Sequence, residues 1–287
     1  MRAIAIAGVG LIGGSFGLAM REAGFTGEII GVSSPAALEE GLRIGAITRG
    51  ASLAEAAQAA DLIYLAQPVD RILTTIEELE PLVREGTLVT DAGSTKEAIV
   101  ARANQWLRTS YFVGGHPMAG KEQRGAAAAQ ADLFRGRPYI LTTGAEARDP
   151  GEAQATAEFR QWLEKIGAVV IEMDAREHDE TVAFTSHLPQ VLSTALALTL
   201  AREGKERTLQ IFGPGLLDMT RLAMSASELW RPILQTNRAA VQEALQSYQS
   251  VLQDLQHALE SDTVWESFSI GSDWAAKLRR SKAGTRQ

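Results

Sequence analysis

The 287-residue chain contains no cysteine. That excludes disulfides, thiolate metal sites and cysteine nucleophiles, and nothing implies an oxidising compartment. Basic excess is absent too: 35 acidic residues against 28 Lys and Arg leave a formal net charge of −7. This argues against a nucleic-acid or anionic-membrane partner held by a broad basic face. A spanning helix needs about 20 mainly apolar residues, and only the stretch from Ala3 to Met20, preceded by Arg2, approaches that. Gly8, Gly10, Gly13, Gly14 and Gly17 interrupt it, and no small-residue cleavage site with a polar flank follows. A cytoplasmic protein without membrane contact is expected. The residues that are present, 45% apolar and 22% charged, are those of an ordinary soluble globular chain. Its length suits one large domain or two ordinary ones.

Short β-branched runs alternate with helical patterns in the first half. Ala3–Ala7, Glu28–Val32, Asp61–Ala66, Thr87–Asp91, Tyr111–Gly115 and Tyr139–Thr142 read as strands. Leu11–Ala23, Ala36–Leu42, Leu53–Ala60, Val69–Leu82 and Lys96–Leu107 read as the helices between them. Gly144–Gly151 reads as a turn, Glu152–Ile166 as a helix and Ala168–Met173 as the last strand. This rhythm predicts a mostly parallel, helix-covered sheet of the α/β Rossmann type over 1–173. From residue 174 to 287 strand patterns cease and an all-α region is expected. Leu188–Ala201 is apolar nearly all round, as in a helix buried on most faces. Val241, Leu245, Tyr248, Leu252, Leu255 and Leu259 form a heptad-like stripe. Packing within its own domain is the simpler reading of that stripe, and a subunit seam the sharper one.

Gly8-Val9-Gly10-Leu11-Ile12-Gly13 follows a strand and opens a helix. There the first glycine permits a tight turn, the second lets backbone approach a pyrophosphate, and the third lets helix and strand pack closely. The helix start, at Leu11 and Ile12, presents N–H groups to phosphate. The second strand ends at Val32-Ser33-Ser34, where an acidic residue would grip the ribose 2′-hydroxyl of NAD. Two hydroxyls in its place tilt the expectation toward NADP, although the nearest arginine is Arg43. Pro68, just past the third of the expected strands, is placed with the cofactor as well.

Asp91-Ala92-Gly93-Ser94-Thr95-Lys96 lies where a strand ends and a helix begins. Ser94 could cap that helix, but strand carboxyl ends face the ligand crevice in such sheets. Another strand closes with Gly114-Gly115-His116-Pro117-Met118-Ala119-Gly120-Lys121-Glu122. His116, bracketed by glycines and proline at that edge, is a candidate catalyst rather than a structural histidine. Histidine titrates near working pH, as a general base should. The four histidines, His116, His178, His187 and His257, show no ligand-like spacing, so no metal is expected. His178-Asp179 could orient a helix start as easily as serve the site, and structure is the favoured reading.

Together with Ser186-His187-Leu188-Pro189 and the run from Asp218 to Trp230, these elements resemble the prephenate and arogenate dehydrogenases of tyrosine biosynthesis. The resemblance spans about residues 1–275. It implies a Rossmann domain followed by a helical dimerisation domain, a junction near Met173–Ala175, an active site in the cleft between the two, and a homodimer. It implies that His116 takes the proton of the ring C4 hydroxyl as hydride leaves for the nicotinamide of NADP or NAD, with loss of carbon dioxide. Ser94 would bond the same hydroxyl and orient His116. Arg221 would bind the ring carboxylate, Trp230 would meet the substrate's side chain, Glu122 would join a charged network at the entrance, and His187 belongs to the substrate element.

One departure bears on the substrate. Prephenate-using members often carry a histidine three residues after that of the SHLP element, where this chain has Gln190. A glutamine carbonyl can accept from the ammonium of arogenate, so arogenate is favoured over prephenate. With no further domain in view, any control by tyrosine is expected at the active site. Two rivals are weaker. A β-hydroxyacid dehydrogenase or imine reductase would use a lysine on a second-domain helix, and neither Lys165 nor Lys205 fits. A non-catalytic dinucleotide sensor would not need His116, Ser94 and Arg221 together.

Overall fold

The computed structural model describes residues 1–121, 123–142, 147–261 and 263–284. Among them the chain forms two compact units, Met1–Val182 with Met224–Asn237, and Ala183–Ala223 with Arg238 onward.

The first unit alternates β1 (Ala3–Ala7), α1 (Leu11–Glu22), β2 (Glu28–Val32), α2 (Pro35–Arg43), β3 (Arg49–Gly50), α3 (Leu53–Ala59), β4 (Leu62–Leu65) and α4 (Val69–Leu79). It continues through β5 (Leu88–Asp91), α5 (Glu97–Trp106), β6 (Tyr111–Pro117), β7 (Pro138–Thr142), α6 (Pro150–Lys165), β8 (Val169–Met173) and α7 (Ala175–Val182). The eight strands lie in the order β3-β2-β1-β4-β5-β6-β7-β8. Its first six positions are the doubly wound dinucleotide-binding order, so the expected Rossmann fold is present. One pair departs from the parallel pattern: β7 runs antiparallel to β6, with His116 opposite Ile140. Among the described residues between these two strands there is a 3-10 turn, Ala126–Ala128, but no α-helix, the usual crossover of a parallel pair. The two-residue β3 escaped the sequence pattern, being too short to show alternation.

Strand side chains alternate between two apolar layers. Ile4, Ile6, Leu62, Tyr64 and Leu141 pack against α1 and α6 through Phe16, Met20, Phe159 and Leu163. The rings of Phe16 and Tyr64 stack with centroids 4.0 Å apart. Ala5, Ile63, Leu65 and Val89 face the opposite layer, with Ile72 and Ile76 of α4 and Ile99 of α5. Each such side chain, fully buried, contributes on the order of 1.5–3 kcal/mol. Helices on both faces leave only the strand ends open to a ligand, so chemistry belongs at the carboxyl edge. The start of the turn expected at Gly144–Gly151 falls outside the described residues.

In the second unit a π-helical turn (Ala183–His187) precedes α8 (Leu188–Glu203), and α9 (Pro214–Thr220) follows. Next in chain order, α10 (Ser227–Thr236) belongs to the first unit. The chain then continues into α11 (Arg238–Glu260) and α12 (Val264–Gly284) of the second unit. Two expectations are corrected here. Along α8 only Gln190 and Ser193 are buried, and Leu198 is half exposed, so the helix is not enclosed by its own chain. The α11 stripe likewise buries only its first member, Val241, while Leu252 and Leu259 stay exposed. Trp265, Phe268 and Trp274 of α12 are exposed too. Among the described residues of one copy, much of the apolar face of each of these helices stays exposed. Among the described residues no helix is long and apolar enough to cross a membrane.

Candidate active site

The glycine loop lies where β1 meets β4 and the strand order reverses direction. Gly8 has φ +97°, and a Cβ there would sit 2.4 Å from the Ala66 carbonyl oxygen. At Gly13 a Cβ would meet the Gly8 oxygen at 2.1 Å. Gly10 is different, because a Cβ there would meet nothing within 4 Å. Gly8 and Gly13 therefore serve the turn and the helix–strand approach, whereas Gly10 leaves open space above the start of α1. No side chain caps that start, so the N–H groups near Leu11 and Ile12 point where phosphate oxygens would sit. Pro68 is exposed at the N-cap of α4. These residues fit a dinucleotide.

At the end of β2, Ser33 is half-buried, and Ser34 caps α2 by accepting the N–H of Ala37 at 3.4 Å. Arg43, at the far end of α2, forks onto Glu40 with bonds of 2.7 and 2.6 Å. Its guanidinium is committed to that carboxylate.

The DAGSTK segment is built around a buried ion pair that the sequence did not announce. Lys96 and Asp91 are both fully buried, and the ammonium donates to the Asp91 carboxylate and, at 2.7 Å, to the carbonyl of Gly115. Asp91 also accepts the N–H of Gly93 at 2.7 Å and of Gly115 at 3.1 Å. Burial pushes the Asp91 carboxyl up and the Lys96 ammonium down, each opposed by the other's charge. The pair ties the end of β5 to the residue before His116. A Cβ on Gly115 would sit 2.4 Å from the Asp91 carbonyl oxygen, so the strand can come this close only with glycine there. Removing either charge would leave the other uncompensated, a loss of roughly 3–5 kcal/mol.

His116 closes β6 and is 9% exposed. Its Nδ1 is 2.8 Å from Nε2 of His178, whose Nδ1 is 2.7 Å from Oδ1 of Asp179. Of the two readings of His178-Asp179, a helix start or the site, the less favoured one has the geometry beside it, because the pair reaches His116. The only signal in the sequence was a histidine beside an aspartate, and nothing local connects them to a residue 62 positions earlier. Asp179 also accepts the N–H of Lys96 at 2.7 Å and of Glu97 at 3.0 Å. The cap of α5 therefore comes from Asp179, and not from the half-buried Ser94, which stands at the end of the strand beside His116's own.

Trp230 lies on α10 and packs against the apolar layer that contains Ile233. In the second unit, His187 is buried at the start of α8. Gln190 is 6% exposed and donates from Nε2 to the carbonyl of Leu222 at 2.8 Å. That bond fixes the backbone beside Arg221, whose side chain is exposed. Glu122 lies outside the described residues.

An open helix N-terminus at a Rossmann switch point, with a buried histidine relay at a neighbouring strand end, defines a dinucleotide-dependent oxidoreductase. Residues 16–172 match the nucleotide-binding domain of prephenate dehydrogenase, and residues 174–270 match its dimerization domain. The chain belongs to the prephenate dehydrogenase family. It is 33% identical over 260 residues to the prephenate dehydrogenase of Lactococcus lactis, covering 89% of this chain and 70% of that one. Prephenate dehydrogenase from A. aeolicus, solved with hydroxyphenyl propionate and NAD+, superposes with a TM-score of 0.86 at 28% identity, over 99% and 98% of the two chains. Synechocystis arogenate dehydrogenase gives 0.81 at 30% identity, over 97% and 99%.

Proposed function

We propose that this chain is an arogenate-preferring, NADP-preferring member of its family, with His116 as the base. Oxidative decarboxylation with NAD(P) in tyrosine biosynthesis is the family's activity. The order of substrates, the choice of cofactor and the residue roles are the present reading. A bound nicotinamide would accept the hydride from ring C4, and aromatisation drives the loss of carbon dioxide. In this reading His116 takes the C4-hydroxyl proton, Ser94 bonds the same hydroxyl, and Arg221 grips the ring carboxylate. Gln190, His187 and Trp230 serve the remainder of the substrate, and Glu122 the charged entrance.

What supports it most is the surrounding of His116, a base held at a strand end by buried partners. The absence of a carboxylate at Ser33-Ser34 supports NADP, with the hydroxyls there to hold the 2′-phosphate; Arg43, the nearest arginine, pairs with Glu40 at the far end of α2. We take the exposed apolar faces of α8, α11 and α12 as those of a homodimer, in keeping with the dimerization domain that they match. The 1–173 and 174–287 division remains part of this proposal; the family matches over 16–172 and 174–270 support it, while the compact units count α7 and α10 with the first.

The decisive experiment is a steady-state comparison of prephenate and arogenate, each with NAD and NADP. The expected result is a higher kcat/KM for arogenate with NADP than for any other combination. A clear preference for prephenate overturns the substrate reading, and one for NAD overturns the cofactor reading.

A further inference from the structure

His116, His178 and Asp179 form a continuous buried chain, with exposures of 9, 0 and 2%. Asp179 anchors it. One of its oxygens accepts the N–H of Lys96 and the other that of Glu97, at 2.7 and 3.0 Å. The amide of Asn237 holds the Asp179 backbone carbonyl at 2.7 Å, so the residue is fixed on both sides. A carboxylate offers acceptors only, so the hydrogen in its 2.7 Å bond to His178 sits on His178 Nδ1. A neutral imidazole with hydrogen on Nδ1 has its lone pair on Nε2. The 2.8 Å bond to His116 is then donated by Nδ1–H of His116. That assignment puts the lone pair of His116 on Nε2, the nitrogen on the far side of the ring from the relay.

We infer that His178 and Asp179 are positioning residues that hold His116 as the Nδ1–H tautomer, with Nε2 the basic nitrogen. The inference rests on the reading of His116 as base. When Nε2 takes the substrate's hydroxyl proton, His116 becomes an imidazolium. Its Nδ1–H then donates more strongly to His178, and the Asp179 carboxylate lies next in line. His178 keeps its Nδ1 proton and Asp179 stays ionised throughout, and the one proton that moves goes from the substrate oxygen to Nε2. The arrangement shares its logic with hydrolase triads, in which an aspartate fixes the tautomer of the histidine before it.

Two substitutions of one residue separate this role from packing. His178→Phe keeps a ring but removes the acceptor for His116, whereas His178→Gln can present its side-chain oxygen to the same N–H. The expected loss in kcat is about 10- to 1,000-fold for His178→Phe and less than about fivefold for His178→Gln. Thermal midpoint and NADP dissociation constant should stay near wild type in both. Nitrogen-15 NMR of the histidine rings reads the tautomer without turnover. In wild type at pH 8, His116 should show a protonated Nδ1 and a lone-pair Nε2, and His178→Phe should give a mixture. A wild-type His116 with its hydrogen on Nε2 overturns the inference, as does a His178→Phe enzyme with normal kcat. If wild type turned over neither prephenate nor arogenate, the functional reading would fall, while NMR would still decide the tautomer. Should His178→Phe not fold, wild-type NMR and the His178→Gln rate decide instead.

Discussion

The side-chain amide of Gln190 donates to the carbonyl of Leu222, the residue after Arg221, at 2.8 Å. Three residues further along α8, Ser193 Oγ accepts the N–H of Ala223 at 3.0 Å. Two side chains of one helix thus set the backbone that carries Arg221. With Nε2 committed, Oε1 is the atom of Gln190 available to accept from an ammonium. An acceptor lost to a charged donor is worth roughly 1.5–3 kcal/mol, enough to invert a tenfold preference. Gln190→His should therefore raise kcat/KM for prephenate relative to arogenate by about tenfold. An arogenate preference that survives the change would assign selectivity to another residue.

Replacing His116 with Asn preserves a polar side chain at the end of β6 but removes the base. A fall in kcat of about 10²–10⁴ is expected, with the NADP dissociation constant changed far less. Stopped-flow measurement of NADPH formation checks this, and near-normal kcat would end the assignment.

A guanidinium meets a carboxylate with two parallel bonds, a geometry that an ammonium cannot reproduce. Arg221→Lys should raise the substrate KM by about tenfold or more while nucleotide binding and the melting temperature hold. Equal KM values in variant and wild type would mean that Arg221 does not grip the ring carboxylate.

Cofactor choice is tested at the end of β2. Ser33→Asp places a negative charge where a 2′-phosphate is expected and an acceptor where a 2′-hydroxyl is. The ratio of kcat/KM for NAD over NADP should rise by at least about tenfold, or ~1.4 kcal/mol of differential binding. An unchanged ratio would move the adenosine ribose elsewhere.

Asp61 gives a pH-dependent test of the fold. Burial raises its carboxyl, but the N–H groups of Arg2 (2.6 Å) and Ala3 (3.2 Å) and the Arg84 guanidinium (3.0 Å) outweigh that, and the net shift is downward. A depressed folded-state pKa adds stability above the unfolded value, and that stability is lost as pH falls through the folded one. Asp61→Asn should destabilise by about 1–3 kcal/mol at pH 7. The gap between variant and wild type should close below the ordinary carboxylate range. Urea titrations at pH 7 and pH 3 measure both, and an equal difference at the two pH values would contradict the assignment.

By itself the sequence determined the Rossmann half of this protein, because the evidence there is local. A glycine hexapeptide, alternating short apolar runs and helix patterns lie within a few residues of one another, and each constrains its own neighbourhood. It also marked His116, whose glycines and proline are adjacent in the chain. Only the tertiary structure decided what surrounds that histidine. Lys96 reads in the sequence as a charged helix start, yet it is buried against Asp91. His178 and Asp179 read as a polar helix turn, yet they end the relay that reaches His116. Gln190 reads in the sequence as a group for the substrate's side chain, yet its amide also holds the carbonyl of Leu222, 32 residues away. A buried polar group must find its partner wherever the fold brings one, and no periodicity or spacing records which residue that is. The apolar faces of α8 and α11 differ again: the sequence showed them, and the structure showed that, among the described residues, one copy of the chain leaves them only partly covered.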